Sequence, residues 1–352
     1  MTTNRPTNLP TDRLAYSRLT FSRRTFLQLA GGVGAAALPF SSTHAAEPLL
    51  TRPIPKTGER LPCVGIGTSI VFNIGADAAK RAERAEVLRT MIDGGARLID
   101  TAPSYGSAED VVGDLLFELR AREKFFIATK VRVTDRDATF AEMRQSLVRL
   151  RTDRVDLIQL HNARDPKTDL RELREWREQG HARYIGITNS QIETYAALAE
   201  IVKREKPDFL QINYSLAERH GEERLLPLAL DSGTAVLTAL PFGRGRLFSA
   251  VRGRPLPDWA AEIGATSWAQ LFLKYLLSHP AINGVIPGTD RAEYMSDNLN
   301  AGRGTLPDAA MRRRMIAFWE SLTRSDSQDN VLLLSPRSGG LSVRGARPSR
   351  AA

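Results

Sequence analysis

The chain is poor in the residues that build disulfides and metal sites. Its 352 residues include a single cysteine, Cys63, and five histidines that are scattered along the sequence. One cysteine excludes an intrachain disulfide and a cysteine-based metal centre, and scattered histidines do not form a metal-binding motif. An apolar run of about 18 residues is missing too, which excludes an ordinary transmembrane helix.

The central part of the chain also lacks a strong excess of one charge, although the formal net charge is +9. Residues 1–46 hold five arginines against one aspartate, and residues 325–352 hold four arginines against two aspartates. Most of the positive charge therefore lies at the two ends, and what remains is ordinary for a globular protein. We expect no nucleic-acid partner.

The N-terminal segment carries a recognisable pattern. Residues 22–27 read Ser-Arg-Arg-Thr-Phe-Leu, and a weakly apolar run rich in glycine and alanine follows as far as Phe40. This resembles a bacterial twin-arginine signal peptide. We predict that residues 1–46 are such a signal, cleaved near Ala45 or Ala46. The twin-arginine export machinery would then be a partner, and the mature protein would be periplasmic or exported, without a stable membrane span. The alternative is a disordered basic leader on a cytoplasmic protein.

Residues 325–352 form a second segment of unusual composition. They are rich in serine, glycine, arginine and proline, a composition that gives little apolar surface to bury. We predict a mobile C-terminal tail, in which Val331–Leu334 could dock on the body of the protein. The folded domain would then span residues 51–324.

Between these ends, short apolar runs alternate with longer stretches of helical periodicity. The runs are too short for helices and are typical of buried parallel strands. There are eight of them: Val64–Gly67, Arg97–Ile99, Phe125–Ala128, Val155–Leu160, Tyr184–Ile187, Phe209–Ile212, Ala235–Leu237 and Gly284–Ile286. Eight strand–helix units in roughly 250 residues predict an α/β fold of the (β/α)8 TIM-barrel type. A turn at Thr57–Glu59 predicts an N-terminal β-hairpin that closes the bottom of the barrel.

A doubly wound open sheet is the competing fold. Such a sheet normally has a glycine-rich loop after its first strand. Here Gly65–Thr68 ends the first predicted strand without the third glycine. Gly32–Ala37 does imitate the dinucleotide fingerprint, but no strand precedes it and it lies within the predicted signal. The barrel is therefore favoured.

Polar residues stop successive apolar runs, at the end of the barrel where βα loops begin. Asp100, Lys130, His161 and Asn189 follow four of the runs, and Tyr105 follows Asp100 by five residues. The sixth run contains Gln211 and ends at Asn213 and Tyr214. Each residue also has a purely structural interpretation. An Asp–Lys pair can occupy the polar end of a barrel without taking part in a reaction, and a tyrosine in a loop usually serves to pack against its neighbours. The joint arrangement on one rim favours a reactive site.

The residue types indicate the chemistry. Tyrosine is a poor acid at neutral pH, and a nearby ammonium such as Lys130 would lower the tyrosine pKa. Asp100 can hold Lys130 charged and in place, while His161 can donate a hydrogen bond to the same substrate oxygen as Tyr105. Such a site protonates an oxygen on which negative charge develops. None of these side chains can donate hydride, so a cofactor must supply it.

These residues resemble the signature of the aldo-keto reductases. Ile99–Gly106 reads Ile-Asp-Thr-Ala-Pro-Ser-Tyr-Gly. The later motifs follow in the same order at Ala128–Lys130, Asp156–His161, Gly186–Asn189 and Gln211–Ser215. The resemblance implies NAD(P)H-dependent reduction of a small aldehyde or ketone. It implies Asp100, Tyr105, Lys130 and His161 as the catalytic residues, with Tyr105 as the proton donor, and Asn189 and Gln211 as the residues that hold the nicotinamide carboxamide.

Two stretches depart from the family pattern. Pro241–Gly245, with Gly243 and Arg244, resembles a loop over the cofactor pyrophosphate, but Ala239 stands where many members have a tyrosine that stacks on the nicotinamide. The stacking face is therefore missing or supplied from elsewhere.

The second departure lies in Ile286–Asn298, which resembles the segment that grips the adenosine phosphate through residues such as Thr289 and Asn298. Many members have a lysine where Gly288 stands and an arginine where Tyr294 stands. Arg291 could take over at a helix N-terminus. The expected cofactor is NADP(H), with NAD(H) as the alternative.

A non-catalytic function remains as an alternative. Barrel resemblance alone would also suit a nicotinamide-binding redox sensor or a partner subunit. The complete set of four catalytic residues favours the enzyme. Phe72, Asn162, Tyr214 and the loop around Trp259 are candidate substrate contacts, but the sequence does not identify the natural substrate or the oligomeric state.

Overall fold

The described part of the chain begins with a β-hairpin. The computed structural model describes residues 47–132 and 135–334. Strands β1 (Thr51–Pro53) and β2 (Arg60–Pro62) pair antiparallel. Gly58, in the connecting turn, has a φ of +75°, a left-handed conformation that glycine adopts at little cost. The predicted hairpin is confirmed.

Eight further strands form one parallel sheet. They are β3 (Ile66–Gly67), β4 (Leu98–Asp100), β5 (Phe126–Val131), β6 (Val155–His161), β7 (Ala182–Asn189), β8 (Phe209–Asn213), β9 (Ala235–Ala239) and β10 (Ile282–Val285). Each strand pairs with its neighbours in chain order. Every predicted apolar run overlaps one of these strands.

Backbone contacts join the first and last strands of this sheet. Val64 forms a parallel bridge with Val285. The amide of Gly65 donates to the Val285 carbonyl over 2.9 Å, and the amide of Gly67 donates to the Pro287 carbonyl over 3.2 Å. The sheet therefore closes into the predicted (β/α)8 barrel.

Helices cover the outside of the barrel. They are α1 (Ala78–Asp93), α2 (Ala108–Glu118), α3 (Arg136–Arg149), α4 (Arg171–Glu178), α5 (Tyr195–Glu205), α6 (Leu225–Ser232), α7 (Arg246–Ala250), α8 (Trp268–Leu277), α9 (Ala292–Asn300) and α10 (Ala309–Leu334). The short helix α7 belongs to the long connection after β9, which also reaches the cavity described below.

Capping side chains and apolar faces explain where these helices form. The Asp135 carboxylate accepts a hydrogen bond from the Ala138 amide at the start of α3, and the Ser267 hydroxyl accepts one from the Gln270 amide at the start of α8. Such caps satisfy amides that have no partner within the helix. Phe140 and Met143 of α3 are buried, so this helix turns an apolar face to the barrel.

The hydrophobic core has two layers. The larger layer lies between the strands and the helices. The smaller layer fills the barrel and contains Ile54, Leu61, Leu98, Phe126, Ala128, Leu157, Tyr184, Phe209, Ala235, Leu237 and Ile286. Because Ile54 and Leu61 come from the hairpin segment, the hairpin covers the lower end of the barrel as predicted.

Polar side chains at that lower end hold neighbouring strands together. The Ile127 amide donates to Asp156 over 2.8 Å, and the Ile185 amide donates to Asp208 over 2.9 Å. The Val236 amide donates to Asn283 in the same way, over 2.9 Å. These residues satisfy backbone groups at the strand starts, so the lower end serves the fold and the upper end is left for chemistry.

Helix α10 extends beyond the predicted domain boundary at residue 324. Its backbone continues to Leu334, so the helix includes the first residues of the segment that was predicted as a tail. Residues 335–352, the predicted signal at residues 1–46 and the side chains of Val331–Leu334 lie outside the described structure. Within the described residues, no helix combines the length and the apolar character needed to cross a membrane.

Candidate active site

A cavity of about 610 Å³ opens at the upper end of the barrel. Three connections contribute much of its wall: the one after β3, the one after β9 and the one after β10. The lining residues are Gly67, Ser69, Ile70, Val71, Asp100, Ser104, Tyr105, Lys130, His161, Asn162, Thr188, Ser190, Gln211, Ala239, Leu240, Pro241, Phe242, Arg244, Gly245, Phe248, Ile286 and Gly288. The four predicted catalytic side chains thus share one cavity.

Asp100 and Lys130 form a buried ion pair at the base of this cavity. The Lys130 ammonium donates to both carboxylate oxygens of Asp100 over 2.7 Å and to the Thr101 carbonyl over 2.9 Å. Burial alone would lower the pKa of Lys130, but the neighbouring Asp100 and Tyr105 raise it overall. Lys130 is therefore held as a fixed cation.

Tyr105 lies directly beside this cation. The Lys130 ammonium is 5.0 Å from the centre of the Tyr105 ring. Burial raises the pKa of Tyr105, the charge of Lys130 opposes that rise, and the overall direction is upward. The sequence-based expectation of a lowered pKa is therefore wrong, because it considered the ammonium and left out the loss of water around the phenol.

His161 completes the group as a neutral imidazole. Its ring centre is 6.0 Å from that of Tyr105, with the planes 85° apart. Burial, followed by the charges of Lys130 and Arg132, lowers the pKa of His161 to about 4. A neutral ring has one N–H that can donate a hydrogen bond at physiological pH.

A buried glutamine within the motif Asp156–His161 connects two parts of the site. The Gln159 amide nitrogen donates to Gln211 over 3.0 Å and lies 3.4 Å from an oxygen of Asp100. Gln159 and His161 are two residues apart on β6, so their side chains point to the same face of the strand. That spacing is the signal that could have identified Gln159.

The comparison with known proteins agrees with this geometry. Residues 64–315 match the model of the aldo/keto reductase family. The chain belongs to the aldo/keto reductase family. It is an NAD(P)H-dependent oxidoreductase that reduces carbonyl groups.

Individual relatives show how far the similarity extends. Aldo-keto reductase YhdN of Bacillus subtilis (strain 168) is 32% identical over 213 residues, which are 55% of this chain and 62% of that protein. Methylglyoxal reductase YeaE of Escherichia coli (strain K12) is 31% identical over 232 residues, which are 64% of this chain and 80% of that protein. The crystal structure of an aldo-keto reductase from Klebsiella pneumoniae in complex with NADPH superposes with a TM-score of 0.64 at 26% identity, covering 77% of this chain and 95% of the other.

The two amides predicted to hold the nicotinamide occupy different environments in this aldo/keto reductase. Gln211 lines the cavity. Asn189 instead donates to the Ala163 carbonyl and accepts from the Gln191 amide, both over 2.9 Å. In this arrangement both ends of the Asn189 amide hold loops together. Its chain neighbours Thr188 and Ser190, which the sequence analysis did not select, line the cavity.

The long connection after β9 supplies aromatic rings near Ala239. Phe242 and Phe248 both line the cavity, with their ring centres 4.8 Å apart. An aromatic surface is therefore present in the wall even though alanine stands at the end of β9. It was missed in the sequence because Phe248 lies nine residues beyond that strand end.

The backbone of the same connection is strained. Leu240 has a φ of +53° and Arg244 a φ of +56°, and Gly243 and Gly245 are left-handed as well. Left-handed non-glycine residues cost free energy and often occur at functional sites. Arg244 and Gly245 line the cavity, so the predicted pyrophosphate loop does adjoin the catalytic residues.

The predicted phosphate segment after β10 is only partly in the cavity wall. Gly288 lines the cavity, while Thr289 and Asn298 are buried. The Arg291 side chain is 59% exposed, with a nitrogen 3.7 Å from a carboxylate oxygen of Glu293. Arg291 immediately precedes α9, at the predicted helix N-terminus.

The structure separates the candidate substrate contacts that were chosen from the sequence. Asn162 lines the cavity, but Phe72, Tyr214 and Trp259 are buried in the core between barrel and helices. Ser69, Ile70 and Ser104 line the wall in their place. Tyr214 is held elsewhere, since its hydroxyl donates to Glu222 and accepts from Arg312.

Proposed function

We propose that this aldo/keto reductase reduces a small aldehyde or ketone to an alcohol, with NADPH as the preferred cofactor and Tyr105 as the proton donor. The placement of Lys130 beside Tyr105 in a cavity that His161 also lines carries this proposal. The methylglyoxal reductase among the relatives supports a small, polar carbonyl substrate.

Each of the four side chains has a separate role in protonating the substrate. Tyr105 is neutral at pH 7, because the ordinary tyrosine pKa is near 10 and burial raises it further, and so it carries the proton that the product alcohol needs. The Lys130 cation stabilises the phenolate as that proton leaves. Asp100 and the Thr101 carbonyl hold the ammonium in position. The neutral His161 donates its N–H to the carbonyl oxygen of the substrate and so stabilises the negative charge that develops on that oxygen.

The walls suit a nicotinamide cofactor. The cavity wall combines the aromatic residues Phe242 and Phe248 with the polar residues Thr188, Ser190 and Gln211, a mixture that suits a flat ring bearing an amide. Bound there, the reduced nicotinamide supplies the hydride. The connection containing Gly243 and Arg244 would cover the pyrophosphate, and the segment from Gly288 to Asn298 would hold the adenosine end.

The preference for NADPH is supported by the Klebsiella pneumoniae aldo-keto reductase, whose structure is a complex with NADPH. NADH is the alternative, because an Escherichia coli relative, 29% identical, is named an NADH-specific methylglyoxal reductase. Arg291 is the residue that we assign to the 2′-phosphate.

Tyr105→Phe tests the reaction. The variant keeps the ring and removes the proton donor, so we expect turnover to fall by roughly 10²–10⁴-fold, the usual scale of general acid catalysis, with little change in cofactor affinity. The assay follows NADPH oxidation with methylglyoxal and a panel of aromatic and aliphatic aldehydes. Carbonyl reduction at the parent rate by Tyr105→Phe would refute the mechanism. A wild-type protein that binds NADPH but reduces none of the panel would favour the redox-sensor alternative.

We further propose that the enzyme is exported by the twin-arginine pathway. Arg23 and Arg24 are followed by a weakly apolar segment interrupted by Gly31, Gly32 and Gly34, which suits this pathway better than a strongly hydrophobic signal would. A chain exported folded can carry a cofactor acquired inside the cell. That route accounts for a nicotinamide enzyme with a secretion signal.

Cell fractionation tests export. The full chain should appear in the periplasm, shortened near Ala45 or Ala46. An Arg23→Lys/Arg24→Lys variant should stay in the cytoplasm at full length, because paired arginines are the feature that the pathway reads. Equal cytoplasmic retention of both proteins with residues 1–46 intact would refute export. The catalytic assignment would be unaffected.

A further inference from the structure

Arg84 is a buried arginine outside the set of catalytic side chains. It lies on α1, and its side chain is 5% exposed. Its Nε donates to the Val71 carbonyl over 2.6 Å, and its Nη1 donates to the Asp290 carbonyl over 2.5 Å. The Glu83 carboxylate, 3.1 Å from Nη1, belongs to a side chain that is 55% exposed. The N–H groups of Arg84 thus donate mainly to two backbone carbonyls.

These carbonyls belong to two different walls of the cavity. Val71 itself lines the cavity, together with Ser69 and Ile70 from the connection after β3. Asp290 lies in the connection after β10, which contributes Ile286 and Gly288. Arg84 therefore joins the connection beside the carbonyl site to the one that we assign to the adenosine phosphate.

The two connections also lie close together at other points. The Gly67 amide donates to the Pro287 carbonyl over 3.2 Å. A methyl group on Gly288 would stand 3.4 Å from the Gly67 carbonyl oxygen and 3.9 Å from the Val71 side chain. A displacement of either connection would consequently change the contacts of the other, and Arg84 is hydrogen-bonded to both.

The two hydrogen bonds to the Val71 and Asp290 carbonyls suit an arginine better than a lysine. A planar guanidinium can hold two acceptors at once in fixed directions, whereas a lysine ammonium on a flexible stem acts from a single point. Both acceptors lie in irregular backbone, and a carbonyl that loses its donor in a buried setting costs free energy. Replacing Arg84 would therefore loosen both connections together.

We propose that Arg84 is a positioning residue that couples cofactor binding to the shape of the carbonyl pocket. By holding the connections at Val71 and Asp290 together, it lets binding at the adenosine end order the wall that contacts the substrate. This inference rests on the proposed function for its assignment of the two connections. Arg84 acts through these backbone segments, so the chemical step on a fully bound substrate does not depend on it.

The test compares Arg84→Met with Arg52→Met in the full-length protein. Arg52 also donates to backbone carbonyls, those of Leu277, His279, Pro280 and Ile282, but at the hairpin end of the barrel. Both variants should lose thermal stability. Arg84→Met alone should weaken NADPH binding, measured by titration calorimetry, and raise KM for the carbonyl, each by about tenfold, with kcat at saturation within about twofold.

A measurement of binding coupling and a conservative variant complete the test. The factor by which NADPH tightens binding of an unreactive carboxylate competitor should fall toward one in Arg84→Met and stay unchanged in Arg52→Met, because coupling between the two ends is what Arg84 provides. Arg84→Lys, which keeps the charge and one donor group, should give intermediate values and serves as the main variant if Arg84→Met does not fold.

Unchanged NADPH affinity, KM and coupling in Arg84→Met would overturn the proposal and leave Arg84 as a residue of the fold. The same conclusion would follow if Arg84→Met and Arg52→Met changed binding equally. Failure of the proposed function is distinguishable, because the calorimetric affinity for NADPH does not require turnover. A wild-type protein inactive on every carbonyl would refute the function while the effect of Arg84 on NADPH affinity could still be measured.

Discussion

Asp100 and Lys130 form a buried pair of charges at the base of the candidate site. Their side chains are 3% and 2% exposed, and 2.7 Å separates the charged atoms. A buried ion pair contributes little net stability, but removing one partner leaves an uncompensated charge in the interior. A single substitution in this pair is therefore ambiguous, because it changes stability as well as the proposed chemistry.

A double substitution separates the two effects. Lys130→Met should lower turnover and also destabilise the fold by about 3–5 kcal/mol, since Asp100 loses its partner. Lys130→Met/Asp100→Asn removes both charges, so it should recover most of the stability while turnover stays low by roughly 10²-fold or more. Urea unfolding and steady-state kinetics measure the two quantities. Activity that returns with stability in the double variant would mean that Lys130 only neutralises Asp100.

At the scale of elements, the strands were predictable and their side-chain environments were not. Buried parallel strands are uniformly apolar, so each run was visible, and the polar residue that ended it marked the upper rim. Asn189 shows the limit. Its position at the end of β7 was evident, but whether its amide faces the cavity or binds Ala163 and Gln191 depends on loops distant in sequence.

The start of helix α9 determines the expected cofactor preference. Arg291 lies there with an exposed side chain, and a helix N-terminus favours anions through its amides and dipole. Because only NADPH has a 2′-phosphate, Arg291→Ala should weaken NADPH binding by about tenfold, the size expected for a charge-assisted contact, and leave NADH nearly unchanged.

Dissociation constants of both cofactors measure this preference. Arg314→Ala is a matched control, because Arg314 is also exposed and paired, 2.9 Å from Glu262, but on α10. It should change neither constant. Equal weakening of NADPH and NADH in Arg291→Ala, or no weakening, would place the phosphate contact on another residue.

For the molecule as a whole, burial of histidines links stability to pH. Burial is the first cause that lowers the pKa of His161 and of His279, each to about 4. In the unfolded chain both would titrate near the ordinary value of about 6.5. Between these values the unfolded state binds more protons than the native state, so stability is full above pH 6.5 and is lost as pH falls toward 4.

The variant His279→Gln measures the contribution of His279 to this pH dependence of stability. The free energy of unfolding from urea titrations should fall less steeply between pH 6.5 and 4 in the variant, by on the order of one bound proton. His279 accepts a hydrogen bond from the Ala281 amide, and glutamine can replace that acceptor. Identical pH slopes for variant and wild type would show that His279 is not neutral in the native state.

The amino-acid sequence by itself determined the barrel, its hairpin and which four polar side chains meet at the upper rim, those to which we assign catalysis. Apolar runs, helical periodicity and residues such as Tyr105 are local features, and parallel strands bring their ends to one rim without further information. The resemblance to the family rested on the same local motifs.

The tertiary structure alone decided the environments of these residues. It placed Phe242 and Phe248 in the cavity wall, bridged Gln159 to Gln211, and joined two connections through Arg84 on α1. It also reversed the expected direction of the Tyr105 pKa, because burial outweighs the neighbouring charge. Each outcome depends on desolvation and on contacts between residues far apart in the chain, which no local pattern records.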